Sequence, residues 1–470
     1  MKLKKFDFKL PKEEAREKRI ILTSISVIAI ILIITLASTF AYYQSIEIQN
    51  PISGEVGSFS NGDIIFAVTI DGVPSNTFPL KGSGYVGSRV TCDKSATGIW
   101  DNHKWGINFG NLTQTKTTCN IEFINEIGTI AYKIKQQGGG ASVIEAKGNP
   151  AFDAVPNAAT SGIYAIDDEY GTSYYYRGLR SSLSNNVIFA GFQWKIVRIN
   201  GDASVRLVYN GTEAQFNSAK TMNTTGANTQ IGVNVFNTDS IDNRSVGYMY
   251  GRMGNSYLNA HKNELSSAIK TYVDNWYANN IANKGSLITN KIADNLFCND
   301  RQLGREYPGA PTGGSGWNGT GFGTSITNYA SYYRHYELRD NPSPTLKCVQ
   351  KNDRFTVNDE ISGNGALTYP VGLLSVDEVT YSGVSYVYYN TNQFLSTSQV
   401  FWTMSSINYS SSTASAWVVT IAGNLSSANV DYVTNYVTNI SNGVRPVLNL
   451  SLAATVTSGD GSATNPFRVS

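Results

Sequence analysis

The sequence predicts a mainly β chain with some α, an α+β fold, carried behind an apolar N-terminal segment. Charged residues are only 15% of the chain while Gly numbers 43 and Tyr 28, a composition of strands and turns rather than of solvated helices. Short runs rich in Val, Ile and aromatic residues recur between clusters of Gly, Asn, Asp and Ser, the pattern of strands separated by turns. Outside the N-terminal segment, residues 264–281 form the convincing amphipathic helix. Leu265, Ile269, Tyr272, Val273 and Trp276 recur at helical spacing, with Glu264 in the first turn.

Residues 1–19 carry eight basic and four acidic side chains, and residues 20–43 carry no charge. At about 1.5 Å per residue the second run is long enough to cross a hydrocarbon layer of about 30 Å. Basic residues ahead of a span keep that end in the cytoplasm, which places everything after residue 43 outside the cell membrane. Two outcomes fit: a retained single-pass transmembrane anchor, or cleavage near Ala41 that releases a chain starting at Tyr42. The length of the apolar run favours the anchor. With a net charge of +2 overall and +4 in the first nineteen residues, the remainder is about −2 with no basic stripe, so nucleic acid is not an expected partner.

Residues 44–126 read as a small β-sandwich-like module. Strand-type runs at 64–70, 85–92, 105–109 and 117–123 alternate with turns. The four cysteines form two local pairs, Cys92 with Cys119 and Cys298 with Cys348; neither is a CxxC, so disulfides in an oxidising compartment are expected rather than zinc. Residues 127–160 read as a connector, with a short helix at 130–137 stopped by Gly138-Gly139-Gly140.

Residues 161–470 form the distal domain. The runs at 192–199 and 205–209 flank Asn200-Gly201-Asp202, a hairpin signal because Asn-Gly tolerates the positive φ of a tight turn. Residues 300–341 lack periodicity and read as an extended loop tied by Cys298–Cys348. Residues 369–377 read as a buried strand leading into a turn, and Asp460-Gly461 as a hairpin turn near the end. Of the three histidines, His103, His261 and His335, none belongs to an HExxH, and no GxSxG or phosphate-loop pattern occurs. Asp377 and Glu378 are adjacent, which gives no acid–base pair across a cleft. Hence no catalytic residue, metal ligand or cofactor is assigned.

The candidate ligand-binding stretch lies between the apolar runs at 416–421 and 444–450. Along 427–433, Ala428, Val430 and Tyr432 fall on one face and Ser427, Asn429 and Asp431 on the other. The candidate set is Asn408, Tyr409, Asn424, Asn429, Asp431, Asn435, Tyr436 and Asn439. Tyr supplies contact area at low entropy cost and Asn adapts its hydrogen bonds, which suits recognition. The same pattern also suits a polar sheet edge that only keeps the protein soluble. Trp402, Trp417, Val430 and Val447 are the expected buried counterparts.

From DDEYGTSYYYRG (167–178), GFQWKIVRINGDASVRLVYNG (191–211), FCNDR (297–301), ALTYPVGLLSVDEV (366–379), FWTMS (401–405) and GVRPVLNL (443–450), the chain resembles an uncharacterised family of Gram-positive bacterial surface proteins. The order of a tryptophan strand, an Asn/Ser-rich stretch and Gly443-Val444-Arg445 resembles C-type-lectin-like domains of the formylglycine-generating-enzyme type. These include the variable proteins diversified by bacterial retroelements. The resemblance implies a display region at 408–439 and a closing strand at Gly443. The enzyme branch needs a cysteine pair near its C-terminus, and this chain has none after Cys348. The expected function is therefore an anchored extracellular binding or adhesion protein, not an enzyme, whose ligand is a glycan, peptide or partner protein. TFAYYQS (39–45) resembles the export signal of biofilm-fibre proteins, so a structural matrix component is the alternative, and a glycan-active hydrolase a third.

Overall fold

The computed structural model describes residues 55–59, 62–81, 83–93, 96–102, 105–111, 117–308, 324–410, 412–431, 434–435 and 440–469. The expected cytoplasmic segment, membrane span and His103 lie outside these. No helix among the described residues is long and apolar enough to cross a membrane. What is described is mainly β with some helix and two disulfides, an α+β architecture.

The first unit comprises β1 (Glu55–Phe59), β2 (Gly62–Ile70), β3 (Val73–Ser75), β4 (Tyr85–Cys92), β5 (Thr97–Asp101), β6 (Gly106–Asn111) and β7 (Thr117–Asn125). Its sheet runs β1-β2-β7-β4, with β3 on β2, and β5–β6 forms a separate hairpin. Strict alternation along β7 buries Cys119, Ile121 and Phe123 on one face. Onto that face the hairpin lays Trp100, 4.9 Å from the Phe123 ring, and Trp105, 5.4 Å from Trp100. Gly87 has no alternative here, because a Cβ would stand 2.1 Å from Trp100 Cδ1. Cys92 and Cys119 are direct cross-strand partners on β4 and β7, and they are bonded, as their spacing suggests.

The stretch read as a connector packs instead into the larger core. The helix Ile130–Gln137 is capped by Thr129, and Ile130, Ala131, Ile134 and Ile144 join the same hydrophobic cluster as Trp194. The apolar spacing that made the helix legible also gives it a buried side, and Gly139 and Gly140 end it at φ +87° and +97°.

The larger unit contains β8 (Gly162–Asp168), β9 (Gly171–Arg177), β10 (Asn186–Phe189), β11 (Phe192–Ile199), β12 (Val205–Thr212), β13 (Gly232–Val233), β14 (Thr327–Asn328), β15 (Val400–Tyr409), β16 (Ala414–Val419), β17 (Leu425–Asn429), β18 (Thr434–Asn435), β19 (Ile440–Val444), β20 (Val447–Leu450), β21 (Val456–Ser458) and β22 (Phe467–Val469). One sheet runs β20-β12-β11-β10-β22-β21, with β9 on β11 and β8 on β9. The other runs β13-β19-β15-β16-β17, with β14 on β15 and β18 on β19. The predicted β11–β12 hairpin forms, but its positive φ falls at Ala203 (+68°) in a wider turn. Gly201 is needed for a different reason: its Cβ would lie 2.4 Å from the Gly171 backbone nitrogen.

Three local readings change. The helix runs Ala268–Asn280, because Ser267 accepts the Lys270 N–H and caps it there, while Glu264 precedes the short strand Leu265–Ser266. The run is buried from Val371 to Asp377, but its strand shrinks to the pairing of Gly372 with Val447. It then enters the helix Val376–Ser382, whose capping box joins Ser375 and Glu378. The described part of 300–341 is not an extended loop. Helix Ala330–Tyr332 runs into the π-helical Tyr333–Glu337, and Tyr329, Arg334 and His335 are buried.

Buried charge joins these elements. Glu378 Oε1 accepts from Arg206 Nη1 at 2.7 Å and Arg198 Nε at 3.0 Å, and Arg198 reaches Asp168 at 2.6 Å. Asp377 accepts from Arg334 at 2.7 Å and meets His335 Nε2 at 3.0 Å, while Arg334 also binds Asp300. Burial alone would push the Asp377 carboxyl up; Arg334 and His335 overcome that and hold it well below the usual carboxylate range. Replacing Glu378 by Ala leaves two buried guanidinium groups short of a counter-charge and should cost about 3–5 kcal/mol in urea unfolding. Because Asp377 has a lowered folded-state pKa, its contribution is present above the unfolded value of about 3.9 and lost as pH falls toward its folded value. The stability gap between wild type and Asp377→Asn should therefore be constant from pH 7 to about 5 and narrow below about 4.

Candidate ligand-binding face

β17 is an edge strand, paired to β16 through Ser415↔Asn429, Trp417↔Ser427 and Val419↔Leu425. Residues opposite one another on neighbouring strands share a face, so Asn328, Asn408, Ser415 and Asn429 form one polar row across β14, β15, β16 and β17. Asn328 and Ser415 are buried and Asn408 is half-buried, and only at the edge does the row reach solvent, where Asn429 is exposed. Trp417 is fully covered, with Nε1 donating to Ser331 Oγ at 3.0 Å, whereas Ser427 beside it is exposed. The edge thus shows hydroxyl and amide groups next to a sealed indole.

An aromatic surface continues from that indole. The Tyr386 ring lies 6.2 Å from Trp417, Tyr336 stands 5.0 Å from Tyr386 edge-on, and Tyr332 stacks on Tyr336 at 4.9 Å. Arg339 sits 5.3 Å over the Tyr336 ring. Backbone contacts fix this group against the edge strand, since Leu425 N–H donates to Ser385 O at 2.9 Å. Tyr336 and Tyr386 are half-buried, while Tyr388 and Tyr389 are exposed, Tyr389 at 71%. Burial, then the neighbouring Tyr336, raises the Tyr386 phenol pKa, so it stays neutral and can both donate and accept. Tyr332 and Tyr336 lie in 300–341, which has no clean periodicity; the local signals for this group are the tyrosine-rich runs at 332–336 and 386–389.

The predicted set divides. Asn429 and Asp431 are exposed as the alternation requires, with Val430 buried between them. Asp431 is not free, because its Oδ2 accepts from Ser240 Oγ at 2.8 Å. Tyr409 is buried rather than displayed, and its hydroxyl donates to Ile241 O at 2.9 Å. Asn424 is also buried: it receives the Thr420 hydroxyl and donates to Leu425 O at 3.1 Å, closing the turn into β17. Asn435 contributes backbone pairing to Ile440, and Tyr436 and Asn439 lie outside the described residues.

A second concavity of about 510 Å³ lies between Arg89, Trp100 and Glu122 of the first unit and Tyr170, Asp202, Asp294 and Asp359 of the second. Its three aspartates are committed internally. Asp294 accepts the N–H groups of Val357, Asn358 and Asp359, Asp202 accepts from Ser204 and Asn295, and Asp359 accepts from Tyr170 at 2.9 Å. Among the described residues no group of three His, Cys, Asp or Glu could hold a metal ion. The His335–Asp377 pair is sealed from solvent, and His335 Nδ1 lies 3.2 Å from the Thr380 hydroxyl.

Truncating Trp417 to Ala should cost about 3–5 kcal/mol, because it removes a filled volume and the indole hydrogen bond to Ser331, whose hydroxyl keeps only its bond to Ser406 O. Asn429→Ala should stay within about 0.5 kcal/mol. Thermal and urea unfolding of both variants measures the contrast, and equal losses would mean that β17 is packed on both faces.

Compared with protein-family models, curated proteins and solved structures, the chain finds no match.

Proposed function

We propose that the chain is a surface-exposed binding protein that recognises a glycan through the β17 edge and the adjoining tyrosines. The observation that carries this is the continuity of exposed Ser427 and Asn429 with Tyr386 and Tyr336 across the buried Trp417. Sugar rings offer C–H faces to aromatic rings and hydroxyls to amides, and the face supplies both with little charge. The two disulfides fit an oxidising, extracellular setting. Membrane attachment through residues 20–43 remains part of this reading on the strength of the uncharged run alone.

The lectin-like reading of the larger unit draws support from Arg445. Its guanidinium is fully buried, donates to Tyr209 O at 3.0 Å and Leu395 O at 2.8 Å, and lies 4.9 Å over Phe401. A closing strand anchored in this way leaves the preceding segment free for display. Binding rather than catalysis is favoured because buried His335 is engaged with Asp377, and buried His261 meets the Tyr329 hydroxyl rather than a carboxylate. The fibre alternative is favoured by one feature, the edge position of β17, which could accept a strand from another copy.

A glycan and peptide array probed with residues 44–470 should give a glycan as its strongest hit. The double variant Asn429→Ala/Tyr389→Ala should melt within a few degrees of wild type and lose at least about tenfold in affinity, which is about 1.4 kcal/mol. Full retention of glycan binding would move the site elsewhere, cleavage of the glycan would make the protein a hydrolase, and concentration-dependent fibres without array binding would support the matrix role.

A further inference from the structure

The hairpin that carries Trp194 also buries an amine. Lys195 on β11 is 3% exposed, and its direct cross-strand partner on β10, Asn186, is 1% exposed. Lys195 Nζ donates to Asn186 Oδ1. The amide is clamped from its other end: Asn186 Nδ2 donates to Gly461 O at 2.8 Å, and the Asn186 backbone N–H donates to the same carbonyl at 3.0 Å. The Oδ1 side of the group, and with it the carbonyl carbon, is thereby turned to the lysine.

An ammonium ion whose visible partner is one neutral amide is poorly compensated in a dry interior. Burial, with the guanidinium groups of Arg180 and Arg445 adding to it, brings the Lys195 pKa down to about 7. A substantial share of the amine is then unprotonated at neutral pH, and an unprotonated amine is a nucleophile. Two groups fixed side by side in a packed sheet also react as though at very high concentration, with effective molarities reaching about 10⁵–10⁸ M in well-oriented pairs.

We propose that Lys195 and Asn186 join in an intramolecular isopeptide bond. Nζ adds to Cγ of Asn186, a proton passes from Nζ to Nδ2, the Cγ–Nδ2 bond breaks, and ammonia leaves. One C–N bond forms and one breaks, with no oxidant, reductant or further reactant consumed. The positive charges of Arg180 and Arg445 favour the oxyanion that develops on Oδ1 during addition. The product replaces a buried amine by a neutral secondary amide and locks β10 to β11. That lock lies where β22 docks, since Val187 pairs with Phe467.

Mass spectrometry of the purified full chain tests this. Trypsin should release residues 181–198 as one peptide, uncut after Lys195 and lighter than its sequence by one ammonia, with no backbone fragments assignable between Asn186 and Lys195. The Lys195→Arg variant should regain the full mass and be cut at 195, and Asn186→Ala should regain cleavage after Lys195. A wild-type peptide of unmodified mass overturns the proposal. So does loss of ammonia in a peptide still cut after Lys195, which would be a cyclic imide at Asn185 or Asn186. The wild-type measurement decides even if neither variant folds.

Discussion

Glu378 and Asp377 sit in the first turn of one short buried helix, and each draws in side chains from a different part of the chain. Glu378 takes Arg198 and Arg206 from the β11–β12 hairpin, and Asp377 takes Arg334 and His335 from the segment between Cys298 and Cys348. The Val376 N–H donates to Ser405 Oγ on β15, so the second sheet is tied to the same turn. Burying such groups is expensive, and mutual attraction repays it only where geometry is close and remaining donors are satisfied. That requirement fixes where the two sheets and the disulfide-bounded segment stand relative to one another.

The display surface follows from that arrangement. With Arg334 and His335 held inward, the following turn places Tyr336 outward against Tyr386, and Ser331 is left to receive the Trp417 indole. Trp417 can then be fully covered while its cross-strand neighbour Ser427 is exposed. A packed interior beneath a half-exposed tyrosine group lowers the entropy that binding must overcome.

Features set by neighbours in sequence were legible. Period-2 alternation along 427–431 correctly put Asn429 outside and Val430 inside, and local cysteine spacing matched both disulfides. What failed depended on distant partners or on competing local hydrogen bonds. Arg334 and His335 sit in a stretch without periodicity because their burial answers Asp377, some forty residues on, and a π-helical turn follows neither regular spacing. Asn424 looked like a displayed amide, but its bond with Thr420 makes it a turn residue; Tyr409 looked like a contact residue, but its hydroxyl is used by Ile241. Lys195 would face water if one side of β11 were solvated, and both sides are covered.

Amide hydrogen exchange, with and without the strongest glycan from the array, tests the central claim most directly. Binding should slow exchange at residues 384–390 and 425–431 and at Tyr336, while the helix Val376–Ser382 stays equally slow in both states. Protection confined instead to residues 87–98, 290–294 and 358–361 would place the ligand in the cleft between the two units and contradict the account.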